Sequence, residues 1–230
     1  VADGVKLGEA AIIKEFEEHG TDEDRANLRY VLHGTALREE DLPAHVQTQI
    51  RTHSYHGGVL ETGDFDHGHD GQTLADFVNH EHSRKAGLVR THVLSLRLYT
   101  SSSYPRFNRD LRNGVKPHPF AMSVYFRADG IRKLRAVAAD IDPAGFTQQV
   151  ELWRGMQDLS IDQEEFMRIG GTELAPMSTS ASKSVAFKYA ASRFPLVFKY
   201  TPRAMQKGCS IRFLSLYPKE EEVLYPPLTF

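Results

Sequence analysis

The chain is poor in cysteine: Cys209 is the only one in 230 residues. No disulfide within the chain is therefore possible, which fits the cytoplasm or another reducing compartment. Cys209 sits between Gly208 and Ser210, just before the apolar run over 211–216, and reads as a buried, inert thiol. Long apolar runs are missing as well: no stretch approaches the ~18 residues that suggest a membrane span. Nor is there an excess of one charge. The 28 Lys and Arg face 30 Asp and Glu, giving a net charge of -2, with a pI near 6.6. Neither nucleic acid nor an anionic membrane then has an electrostatic claim as main partner. There is no internal repeat and no low-complexity tract. The start, Val1-Ala2-Asp3-Gly4, lacks the charged and apolar regions of a secretory signal. It also lacks an initiator methionine, and reads as a domain cut from a longer protein.

What is present suits a packed core. Hydrophobic residues make up 40% and charged residues 25%, enough for one large domain or a domain with an appended lobe. Up to about 145 the signals are helical. The stretch 73–86 begins with Thr73 as a capping candidate and sets Leu74, Phe77 and Val78 on one face. Further helices are expected over 88–98 and 121–139, the second weakened by Gly130. From 149 onward the pattern shortens to strands over 149–154, 195–200, 210–214 and 222–225, with short helices over 162–169 and 182–191. Helices first and strands second indicate an α+β architecture. The expected boundaries are an N-terminal extension over 1–72, a helical lobe over 73–145 and a β core over 146–230.

Residues 53–72 crowd His53, His56, Asp64, Asp66, His67, His69 and Asp70 into a Gly-rich segment. The spacing matches neither the two-histidine helical zinc motif nor a calcium loop, where Ala75 stands in place of the required carboxylate. A polar, solvated loop without a functional metal is expected. Arg106, Arg109, Arg112 and Lys116 form a short basic cluster, which marks a solvated face or a small phosphate site.

Three segments carry chemistry when taken in order: Leu152-Trp153-Arg154-Gly155, Met177-Ser178-Thr179-Ser180 and Glu220-Glu221-Glu222-Val223-Leu224. Each alone has a plainer meaning. Arg154 suits an ion pair, Ser180 or Ser182 suits a helix cap, and a Glu triplet suits a solvated face. Together, an arginine on a strand, Ser-Thr-Ser on the next and Glu-x-Glu at a strand start resemble the arginine–serine–glutamate signature of mono-ADP-ribosyltransferases. The similarity is to the clostridial-toxin-like and vertebrate-ecto-enzyme-like class and covers about 74 to the end. Tyr99, Tyr104, Asn108 and Leu111-Arg112 resemble the helical segment that precedes the core sheet in that class. Members usually continue with another strand beyond the point where Pro226-Pro227 and Phe230 close this chain.

The resemblance implies a helical lobe packed on a mixed, mostly antiparallel β-sandwich core with an NAD cleft. It implies NAD as co-substrate, no metal, and a protein partner with an exposed arginine. Glu222, directly before Val-Leu, would be the catalytic carboxylate. Cleaving the nicotinamide–ribose bond develops positive charge on the ribose, which a close carboxylate stabilises. If the backbone is extended there, Glu220 joins Glu222 on one face and Glu221 points away; Glu220 would then orient an incoming guanidinium, the basis of the arginine assignment. Arg154 would meet the NAD pyrophosphate or a ribose. Ser178, with Thr179 and Ser180 in its motif, would hold Glu222 or the ribose, and Gly155 would let the backbone approach nicotinamide. Phe187, Tyr189 and Phe194 compete for an aromatic stacked on nicotinamide, Arg193 fits a phosphate, and Tyr99, Tyr104 and Asn108 would line the adenine-side pocket. Tyr217, before Pro218-Lys219, would present its ring to the acceptor protein.

Three other functions compete. Water in place of a protein acceptor gives an NAD glycohydrolase. A non-catalytic NAD-binding or protein-interaction module needs no turnover. More distantly, the His/Asp segment would suit a metal-dependent hydrolase. The sequence leaves target and oligomeric state open.

Overall fold

The computed structural model describes residues 2–33, 55–56, 59–60, 65–69 and 72–229. Helices α1 (Ala2–His19) and α2 (Asp22–His33) come first, followed by a small antiparallel hairpin of β1 (Tyr55–His56) and β2 (Val59–Leu60). Helices α3 (Leu74–Asn79), α4 (Glu81–Ala86), α5 (Arg90–Tyr99), α6 (Tyr104–Arg112) and α7 (Ala121–Ala136) complete the main lobe. Two short helices, α8 (Ala138–Ile141) and α9 (Pro143–Thr147), lead to the second half. There β3 (Leu152–Met156), α10 (Gln163–Ile169), β4 (Met177–Ser180), α11 (Lys183–Ala190), β5 (Leu196–Tyr200), β6 (Cys209–Ser210) and β7 (Glu222–Tyr225) follow. The last five strands make one sheet in the order β5-β3-β4-β7-β6, every pair antiparallel. Among the described residues, none of the helices is long and apolar enough to cross a membrane.

The α+β class and the helices-then-strands order match the sequence. The sheet is wholly antiparallel rather than mixed. Among the described residues, helices and not a second large sheet pack against it. Leu224 of β7 and Cys209 of β6 are buried in the core of the helical lobe. Burial pushes the Cys209 thiol up to about 12, so it is inert as a nucleophile.

Helix α5 is the centre of the lobe, with Val93, Leu94, Leu96 and Leu98 fully buried, as expected for a helix enclosed on all sides. Helix α7 crosses it at Gly130, where a Cβ would lie 3.1 Å from Leu96 Cδ1 and 3.4 Å from the His92 Cβ. The glycine that weakened the helix in the sequence thus serves a close crossing. Phe16 of α1 packs its ring 6.0 Å from Phe107 and 5.2 Å from Phe120. Each such buried side chain contributes about 1.5–3 kcal/mol. Ile12, Phe16, Leu28 and Val31 share one core with α5, α7 and the downstream Ile211, Leu214 and Leu216. Packing is therefore continuous across the expected boundary at 72.

Local chemistry sets several ends. Thr73 N–H donates to the Asp76 carboxylate (2.7 Å) at the start of α3. The helix expected over 73–86 breaks at His80, whose ψ of 145° is extended. The strand expected over 210–214 stops at Ser210, because Leu214 N–H turns back to the Ile211 carbonyl (3.0 Å).

Gly155 is where α11 lies on β3. A Cβ there would overlap the Ala186 carbonyl and sit 2.6 Å from the Ala190 nitrogen. The missing side chain serves helix–sheet contact against backbone that cannot yield. Gly155→Ala is expected to destabilise the fold by about 2–3 kcal/mol, measured by urea unfolding. A loss below about 0.5 kcal/mol would contradict the close-contact role.

Candidate active site

A cleft of about 320 Å³ opens between the helical lobe and the sheet. Its walls include Tyr99, Tyr104 and Asn108 from the lobe, Arg154 and Ser178 from the sheet, and Glu220 and Glu222 from the last strand and the turn before it. Thr179, Ser180, Gly155 and Tyr189 also border it. Segments separated by more than a hundred residues thus meet in one place.

The β4–β7 register explains the carboxylate. Ser180 pairs with Glu222 and Ser178 with Leu224, so Ser178 and Glu222 are diagonal neighbours. Ser178 Oγ donates to Glu222 Oε1 at 2.6 Å. Glu222 is 9% exposed, and no cation forms an ion pair with it among the described residues. Burial pushes its carboxyl up; the Ser178 hydrogen bond offsets part of this and the Glu220 charge adds to it, leaving it at about 8.

Glu220 reaches the cleft differently from the extended geometry expected. Pro218 opens a 3-10 turn, Pro218–Glu220, and Glu221 adopts a left-handed conformation at φ 48°, ψ 46°. The strand begins only at Glu222. Both Glu220 and Glu222 still border the cleft, brought there by the turn and not by strand alternation. Glu221 turns to Arg212, 3.6 Å away at the surface. Ser180 Oγ fixes the turn by donating to the Glu220 carbonyl (2.6 Å), and accepts from Ser182 N–H (2.9 Å) at the start of α11. Thr179 Oγ1 donates to the Val223 carbonyl (2.8 Å), tying β4 to β7.

Tyr189 is the aromatic of the three candidates that borders the cleft, and its hydroxyl donates to Glu220 at 3.1 and 3.2 Å. Burial and the Glu220 charge push that phenol up. Phe187 and Phe194 instead face solvent, 53% and 59% exposed. Lys183 Nζ lies 5.4 Å from the Phe187 ring centre, and Arg193 is stacked on Phe194 at 5.2 Å. Phe187 and Arg193 therefore stand outside the cleft. The reason is periodicity: Ala186 and Ala190, four apart, take the inner face of α11 against Gly155 and turn Phe187 outward.

On the lobe side, Tyr99 Oη donates to the Pro176 carbonyl (3.1 Å) and accepts from Asn108 Nδ2 (3.1 Å). Burial and the Glu222 charge push its phenol up to about 12. Asn108 Oδ1 is buried with no partner among the described residues. Tyr104, 38% exposed, starts α6 with Pro105 in its first turn.

Two further residues escaped the sequence reading. Arg112, noted there in a basic cluster and in the helical segment after Asn108 but not named as a site residue, borders the cleft. Glu173 binds it through two bonds, Nε to Oε1 (3.0 Å) and Nη2 to Oε2 (2.9 Å). Arg154 Nη2 donates to the same Glu173 Oε2 at 2.5 Å. The ion pair allowed for Arg154 thus exists, with a glutamate from a loop and not from the triplet. No local pattern marks Glu173, 19 residues beyond Arg154.

Tyr217 is half-buried, its ring 5.6 Å from Phe65 and edge-on to it, packed against the core. Of the His/Asp segment, His53, Asp64 and Asp70 lie outside the described residues, and so do the side chains of His56 and its neighbours. Asp66 and His69 are buried, which departs from a solvated loop. Asp66 accepts from Arg97 Nη2, Tyr30 Oη and His69 Nδ1, each at 2.8 Å. Burial raises the Asp66 carboxyl, but these donors and the Arg97 charge hold it below the usual range. The cluster is a structural ion pair joining α2, α5 and the segment. Among the described residues, no three groups stand together as metal ligands.

No protein-family model matches the chain, and no curated protein matches its sequence. Among solved structures it is similar to the ADP-ribosyltransferase HopU1 of Pseudomonas syringae pv. Tomato, with 18% identity, TM-score 0.48, and 90% of this chain and 88% of that one covered. It is similar to the type III effector XopAI of Xanthomonas axonopodis pv. citri, with 15% identity, TM-score 0.46, and 99% and 88% covered. A third is exoenzyme S from Pseudomonas aeruginosa, solved with human 14-3-3 protein beta and carba-NAD: 20% identity, TM-score 0.44, and 68% and 76% covered.

Proposed function

We propose that the cleft binds NAD and that the protein transfers ADP-ribose from it to an arginine of another protein. The observation that carries this is Glu222: a buried carboxylate at a cleft wall, held by Ser178 and paired with no cation among the described residues. Such a group is costly unless a positive charge arrives to compensate it. The ribosyl cation formed as nicotinamide leaves is such a charge.

In the proposed reaction the bond between ribose C1′ and the nicotinamide nitrogen breaks, and nicotinamide departs with the electron pair. The ribose becomes cationic beside Glu222. A guanidinium nitrogen of the acceptor attacks C1′ and loses one proton, for which the second carboxylate at the cleft, Glu220, is the acceptor. Arg112 and Arg154 supply positive charge for the diphosphate. Asn108 stands in the cleft lining, its Oδ1 buried and without a partner among the described residues. No metal takes part in this scheme.

The acceptor assignment rests on Glu220, which accepts a hydrogen bond from the Tyr189 hydroxyl at the cleft wall. Glu220→Gln is expected to reduce transfer to a small guanidino acceptor about 10-fold more than it reduces NAD hydrolysis. Both rates come from one assay of nicotinamide and ADP-ribosyl-guanidine. Equal losses would remove Glu220 from acceptor activation and favour simple NAD hydrolysis.

A further inference from the structure

Glu173 takes up donors from three places. Its Oε1 accepts from Arg112 Nε (3.0 Å) and from the Ala175 N–H (3.0 Å); its Oε2 accepts from Arg112 Nη2 (2.9 Å) and Arg154 Nη2 (2.5 Å). Its backbone is fixed in turn, the N–H donating to the Thr229 carbonyl (2.9 Å) and the carbonyl accepting from Leu228 N–H (2.9 Å). Burial raises its carboxyl, but the hydrogen bonds from Arg112 and Ala175 and the charges of both arginines hold it below the usual range. It is therefore ionised at neutral pH.

The consequence concerns the arginines. Arg112 comes from α6 and Arg154 from β3, on opposite walls, and both border the cleft. Two guanidinium groups this close repel, and each long side chain has rotamer freedom to lose. One carboxylate bonded to both removes the repulsion and that freedom before any ligand arrives. It consumes one nitrogen of Arg154 by direct contact. A second, Nη1, is buried with no partner among the described residues. With Glu173 counted, the trio keeps a net charge of +1 beside the cleft.

We infer that Glu173 is a positioning residue: it pins Arg112 and Arg154 side by side as a preformed receptor for a diphosphate. The inference rests on the NAD reading above. Glu173 itself touches no substrate; its effect passes through the two arginines.

Glu173→Gln keeps the shape and removes the charge. The expected result is a KM for NAD raised about 10-fold or more, with kcat changed less than about 3-fold. The inhibition constant of inorganic pyrophosphate should rise in parallel, while that of nicotinamide should stay put. Arg112→Gln alone should weaken pyrophosphate, and adding Glu173→Gln to it should cost much less than the two losses combined, since both act through one contact. A lowered KM would show that Glu173 competes with the diphosphate and would overturn the inference. So would an unchanged KM, or equal losses in kcat and in both inhibition constants, which a merely structural role produces. If the unaltered protein binds neither NAD nor pyrophosphate in calorimetry, the NAD reading fails and the inference with it. An active parent with an indifferent Glu173→Gln variant defeats the inference alone.

Discussion

Glu222→Gln lowers the rate of nicotinamide release from NAD by about 10²–10³-fold, while NAD binding changes by only a few-fold. That size is expected when one electrostatic stabiliser of a transition state is removed from a site sheltered from water. Gln keeps the volume and still accepts the Ser178 hydrogen bond, so the substrate meets nearly the same surface. What it lacks is the negative charge, whose interaction is strongest as the ribose becomes cationic. Loss confined to kcat is the mark of an interaction made in the transition state. Turnover is followed as nicotinamide by chromatography, and binding by calorimetry with NAD. A variant retaining more than about a tenth of the parent rate would remove Glu222 from the chemistry.

The same substitution stabilises the fold above neutral pH. The carboxyl of Glu222 stands at about 8 in the folded chain against an ordinary 4.5, raised first by burial. A folded state that holds its proton more tightly than the unfolded state is favoured at low pH. Its contribution is whole below about 4.5, declines as pH rises through 4.5 to 8, and is gone above that. Glu222→Gln does not titrate and loses nothing over that window. The variant should therefore gain on the parent as pH rises, by an order of a few kcal/mol at pH 8.5, or about 5 °C or more in Tm. Thermal melts of both proteins at pH 5 and pH 8.5 measure it; a constant difference between the two proteins would contradict a buried, uncompensated carboxylate. The catalytic counterpart is kcat/KM for NAD that climbs through about 8 and then levels, because the ionised form is the one that acts. On the proposed function, stability at this position would be exchanged for catalysis.

Much of the site was legible because strands translate sequence into geometry simply. Once 177–180 and 222–225 are strands, pairing alone decides that Ser178 and Glu222 are neighbours. The helix expected over 88–98 was legible from its apolar content and lies at Arg90–Tyr99. What escaped was set by tertiary contact. Glu221 takes a left-handed conformation that favours glycine or asparagine, so no residue type announces the turn that carries Glu220. Asp66 and His69 read as solvated because their partners, Arg97 and Tyr30, lie about thirty residues away in either direction. Glu173 reads as one more loop carboxylate until β3 and α6 close around it. The outward placement of Phe187 could have been read from Ala186 and Ala190, small residues four apart facing Gly155.

The arrangement is economical in its use of charge. Among the described residues Glu222 has no cationic partner, where the proposed reaction would form a cation, whereas Glu173 is surrounded by donors from two fixed arginines. Glu222 at the cleft wall and Glu173 behind the two arginines are thus pushed in opposite directions, the pattern expected if one reacts and the other positions.

The most direct measurement is nicotinamide release from NAD, with and without a small guanidino acceptor, for the parent chain beside Glu222→Gln. Release that rises with acceptor, yields an ADP-ribosylated guanidine and vanishes in Glu222→Gln is the predicted result. No release from the folded parent, or release that survives in Glu222→Gln, would contradict it.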